Sequence, residues 1–79
     1  MMPIIKIGSF IFVLDDEKSD AYIQTYRAED GKNYRIKVDN TLHPPYYEVF
    51  EDYREKGREW SRKLFATSSY DKLVKWLTT

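Results

Sequence analysis

Seventy-nine residues, 42% hydrophobic, 33% charged and 16% aromatic, fit one folded domain (residues 1–79) and exclude a disordered chain, which needs low hydrophobicity and high net charge. The absence of cysteine excludes a disulfide framework, a thiolate nucleophile and a cysteine-ligated metal site. A net charge of zero weakens non-specific nucleic-acid binding, but the distribution is uneven: residues 1–53 hold six Lys/Arg and ten Asp/Glu, residues 54–79 seven and three.

The N-terminal "PIIKIGSFIFVL" is apolar apart from Lys6 and too short for a membrane span. No small-residue cleavage site precedes "DDEKSD", so a signal peptide is not expected and the chain reads as cytoplasmic, without a membrane partner. Ile, Phe and Val dominate residues 4–14, which read as one central strand with a bulge or bend at Gly8–Ser9. "DDEKSD" (15–20) is a charged connection. It lacks the Gly and terminal Glu of a calcium loop, so a solvated acidic loop is the expectation.

"AYIQTYRA" (21–28) reads as a second strand, with Tyr22, Gln24 and Tyr26 on one face and Ile23, Thr25 and Arg27 on the other. Asp30-Gly31 is a turn signal. The third strand, 33–39, alternates cleanly: Tyr34, Ile36 and Val38 toward the core, Arg35 and Lys37 toward water. "DNTLHPP" (39–45) is a loop, because neither Pro can join a ladder.

Residues 46–66 admit two readings. Tyr46, Phe50, Tyr53, Gly57, Trp60 and Leu64 recur at three- and four-residue intervals, and the aromatic residues of the segment, with Val49 and Leu64, fall within an arc of roughly 160° on a helix. Acids come early and bases late, as the helix dipole favours, and Pro45 suits a first helical position. The other reading is a β-hairpin turning at "REKGR", with Gly57 at φ > 0. Its arms alternate poorly, so the helix over 46–66 is the expectation, with Gly57 its weak point. "SSYDKLVKWLTT" forms a helix in either case, over 69–78, with Ser68 as cap and Asp71 at N3. Tyr70, Leu73, Val74 and Leu77 line its apolar stripe, with Trp76 beside it.

"RKLFATSSYDKLVKWL" resembles, in Phe65, Thr67, Trp76 and Leu77, the C-terminal strand and helix of arm-type DNA-binding domains of tyrosine recombinases. The two halves are spaced further apart here and the flanks are less basic, so no residue role is carried over.

His43 is the single histidine, so a Ser-His-Asp triad or a histidine-ligated metal site would rest on this residue alone, and a loop histidine without a role is the expectation. Three scattered Gly build no phosphate-cradling loop. No catalytic residue, metal or cofactor is therefore assigned, and the chain is expected not to be an enzyme. "PPYY" (44–47) matches the PPxY pattern of WW-domain ligands, but it lies where a folded segment begins, so Tyr46 and Tyr47 read as core and rim aromatics.

The expected fold is α+β: a three-stranded antiparallel sheet covered on one face by helical segments 46–66 and 69–78. The alternative is a five-stranded antiparallel sheet with a single C-terminal helix. The expected function is a small non-catalytic protein-interaction module, an accessory or inhibitory protein acting by surface binding. The alternative is a nucleic-acid-binding domain using the basic and aromatic C-terminal third. Candidate binding residues are Arg35, Lys37, Arg58, Arg62, Lys63 and Trp76. A protein is the expected partner, and the charge asymmetry leaves nucleic acid and self-association open.

Overall fold

The computed structural model describes residues 3–29 and 33–79. Among these residues six strands and one α-helix follow in chain order, with a single 3-10 turn at Asp16–Lys18: β1 (Ile4–Ile7), β2 (Phe10–Leu14), β3 (Ile23–Ala28), β4 (Tyr34–Asp39), β5 (Tyr46–Glu55), β6 (Arg58–Thr67) and α1 (Tyr70–Thr78). The strands form one antiparallel sheet in the order β1-β2-β3-β4-β5-β6. The class is α+β as expected, but the three-stranded sheet with two helical segments is overturned. The architecture follows the alternative, a meander with a single C-terminal helix, with one strand more.

The extra strand comes from residues 4–14, which are two strands and not one. Gly8 takes φ 59 and Ile7 pairs with Phe10, so Gly8–Ser9 is a two-residue hairpin loop with Gly at the first central position. A Cβ at Gly8 would lie 2.8 Å from Thr78 Cγ2, so the same glycine lets the helix end approach the turn. Ile5 and Phe12 then face the same side as Ile7 and Phe10.

Residues 46–66 are the long β5–β6 hairpin. Its turn is Lys56–Gly57, at φ 50 and 77, with Glu55 opposite Arg58. Positive φ at both central residues matches the right-handed twist of the flanking strands. Alternation along β6 is poor because Arg58 to Lys63 are exposed on both faces and a bulge follows them. Val49 pairs with Phe65 and Phe50 with Lys63, so Leu64 is an extra residue and the faces swap across it.

The core lies between one sheet face and α1. Phe12, Ile36, Val49 and Leu73 are fully buried, joined by Ile7, Phe10, Tyr26, Val38 and Leu77. Ile36 and Val38 sit on the core face, as their alternation with Arg35 and Lys37 predicts. β3 and β4 pair from Ile23–Asp39 to Arg27–Arg35, while the Asp30-Gly31 turn lies outside the described residues. α1 contacts both edge strands, β1 and β6, so the sheet curves around it. Trp76 stacks on Phe65 with centroids 5.3 Å apart, and Tyr70 meets Tyr47 edge-on at 5.8 Å. The cap is one residue later than expected: Lys72 N–H donates to Ser69 Oγ at 3.3 Å.

Candidate protein-interaction surface

The face opposite α1 begins with a chemical conflict. Strand register sets Val13, Arg27, Arg35, Phe50 and Lys63 in one row across five strands, with Arg27 directly opposite Arg35. Like charges in that position destabilise a sheet. Each arginine is instead matched to a carboxylate. Arg27 Nε donates to Asp15 Oδ2 at 2.9 Å. Arg35 grips Asp52 with Nε and Nη2, at 2.8 and 3.1 Å, and its guanidinium lies 4.4 Å from the Phe50 ring centroid. Ser61 Oγ donates to Asp52 Oδ1 at 2.6 Å. Partial burial pushes the Asp52 carboxyl up, but the bonds from Arg35 and Ser61 and the charges of Arg35 and Lys18 outweigh it, leaving it below its ordinary range.

The segment 15–20 folds back over this face. Thr25 N–H donates to Ser19 Oγ at 2.9 Å and Thr25 Oγ1 to the Lys18 carbonyl at 3.3 Å, which buries Thr25 on the side otherwise open. Between that segment and the β5–β6 hairpin lies an open groove of about 670 Å³, with Lys18, Arg27, Arg35, Asp52, Glu59 and Trp60 in its lining. A hydrogen bond from Arg54 is the main reason the Glu59 carboxyl is held low. The Arg54 charge adds to it, as do the more distant Lys18 and Arg27.

Beyond Glu51, β5 has no β4 residue in register, although Asp52 N–H still donates to the Asn33 carbonyl at 2.7 Å; among the described residues only β6 pairs with β5 from Tyr53 to Glu55, and this end of the hairpin forms an arm. Its acids and bases mirror each other across the turn: Glu51 with Arg62 at 2.7 Å, Arg54 with Glu59 at 2.8 Å, and Glu55 opposite Arg58. Tyr53 stands opposite Trp60, and both are exposed, at 38% and 46%. The arm is an ion-paired ribbon with one aromatic pair at its middle.

The six sequence-derived candidates do not form one patch. Arg35, Lys37 and Lys63 lie on the open face, the two lysines 3.9 and 3.3 Å from Glu48. Arg58 and Arg62 share the other face of the arm with Trp60. Trp76 is half-buried against the core and belongs to neither group. Sequence reasoning missed Tyr53, Asp52, Ser61 and Arg27. The signal that could have found the arm is the mirrored order of opposite charges about Lys56-Gly57.

Among the described residues, no three His, Cys, Asp or Glu side chains are grouped to hold a metal ion. None of the described helices is long and apolar enough to cross a membrane. Compared with protein-family models, with curated proteins and with solved structures, the chain matches none of them.

Proposed function

We propose that this chain is a non-catalytic protein-interaction module, an accessory or inhibitory protein that acts by surface binding through the β5–β6 arm. The observation that carries this reading is the exposed Tyr53–Trp60 pair on a ribbon whose charges are internally matched. Trp, Tyr and Arg dominate the energetics of protein interfaces because large rings desolvate well and guanidinium groups bond in several directions. A phosphate backbone would have to compete with Glu51 for Arg62 and with Glu48 for Lys63, which disfavours nucleic acid as ligand.

The test is capture from cell extract by tagged wild-type protein and by the Tyr53→Ala/Trp60→Ala variant, each with and without nuclease. A protein partner should be retained after nuclease and fall at least tenfold in the double variant, since each hot-spot truncation costs about 2 kcal/mol or more. A partner captured equally by both proteins would remove the arm from the reading.

One observation favours nucleic acid as the second reading: Arg58, Trp60 and Arg62 are exposed on one strand face, where a ring and two guanidinium groups could meet bases and phosphates. That reading requires nuclease-sensitive capture and micromolar affinity that Arg58→Glu/Arg62→Glu abolishes.

A further inference from the structure

Edge strands present unpaired N–H and C=O groups, and most sheets keep them short or shielded. β1 conforms, with four residues, Pro3 before it and Lys6 within it. β6 also carries charge, in Arg58, Glu59, Arg62 and Lys63, and a bulge at Leu64, but it is not short: it spans ten residues, ends the sheet, and is exposed from Arg58 to Lys63. The two-residue turn makes Glu55–Arg58 the pair that exchanges both backbone bonds. Alternation from that pair directs the backbone groups of Glu59, Ser61 and Lys63 to the open edge.

We propose that β6 pairs antiparallel with β6 of a second copy of this chain about a two-fold axis at Ser61, joining two six-stranded sheets into one. The proposal rests on the reading of this chain as an interaction module and names one partner for it. In this register Ser61 faces Ser61, and Glu59 faces Lys63 of the partner copy on both sides of the axis. Trp60 faces Arg62 of the partner copy, a cation–π arrangement. The edge groups of Glu59, Ser61 and Lys63 then form about six interchain bonds over roughly 13 Å of strand.

Neighbouring registers are worse on the same residues. A slide of one residue sets outward-bonding groups against inward-bonding ones. A slide of two either puts Arg58 opposite Arg62 twice or sets Arg62 against its own copy, and like charges directly opposite repel. α1 meets β6 at Phe65, about 13 Å along the strand from the axis, so the two helices lie on the same sheet face without meeting.

Sedimentation velocity from about 10 μM to 1 mM tests this, a range suited to a small interface. Wild-type protein should move from monomer to dimer across it. Glu59→Lys and Lys63→Glu, each folded by circular dichroism, should associate at least tenfold more weakly, because each sets two like-charged pairs across the axis. Mixing the two single variants should restore a heterodimer at wild-type strength. Each variant loses its own internal pair, with Arg54 or Glu48, whether alone or mixed, so recovery on mixing cannot come from repair of the fold. A wild-type monomer at 1 mM, single variants that dimerise normally, or a mixture that stays monomeric would each overturn the proposal. Monomeric wild type that still captures a different protein through Tyr53 and Trp60 would overturn the self-pairing and leave the interaction-module reading standing.

Discussion

Arg35 and Asp52 carry the densest polar chemistry of the open face. The arginine is nearly hidden, at 17% side-chain exposure, and its charge is acceptable there because Asp52 and the Phe50 ring receive it. Asp52 is ionised more readily in the fold than in the open chain, so its contribution to stability has a definite pH window. It is present in full above the unfolded value of about 4 and is lost as pH falls through the lower folded value. Asp52→Asn should therefore lower the urea midpoint at pH 7, and the gap to wild type should narrow toward pH 2.5. A gap of unchanged size at both pH values would show that Asp52 acts through something other than its charge.

At the scale of elements, the β5–β6 hairpin decides the architecture, and its turn is where a helix and a hairpin make opposite demands. Gly57 at φ 77 would cost any L-residue about 1–2 kcal/mol, and a Cβ there meets nothing within 4 Å, so the loss would report backbone strain alone. Gly57→Ala should lower stability by about 1 kcal/mol in urea unfolding, whereas a helix would have gained a similar amount. The helical reading failed for identifiable reasons. Tyr53 and Trp60 counted as an apolar stripe, although they are a cross-strand pair in solvent. Arg58 to Lys63 are exposed on both faces and so carry no period-two pattern, and the bulge at Leu64 interrupts it in the rest of β6. Residues 4–14 misled in another way, because two strands joined by Gly8–Ser9 spell one continuous apolar run. β3, β4 and α1 were legible because their alternation or helical stripe survives uninterrupted, from Tyr34 to Val38 and from Leu73 to Leu77. The surface was less legible than the fold: the Arg35–Asp52 contact joins residues seventeen apart, and no local pattern announces it.

Taken as a whole, the molecule is a curved sheet that needs its last nine residues of regular structure to have an interior. The core face of β1–β6 is lined mainly by apolar residues from Ile7 to Phe65, with Gln24 buried among them, and α1 is the element that covers it. Leu73 is 1% exposed and Leu77 7%, and the helix contacts both edge strands, so it holds the curvature as well as the core. A core leucine cut to alanine costs about 2–5 kcal/mol through lost burial and the cavity left behind. A domain this small has a margin of roughly 3–5 kcal/mol. Leu73→Ala should thus leave a large fraction of the chain unfolded at 25 °C, with loss of the sheet signal and of the helix signal in one transition. Lys72→Ala, one position away and exposed, should melt within a few degrees of wild type. If Leu73→Ala instead lost only helical circular dichroism while the strand signal persisted, the sheet would be self-sufficient. The helix would then be an addition to this fold and not the wall of its core.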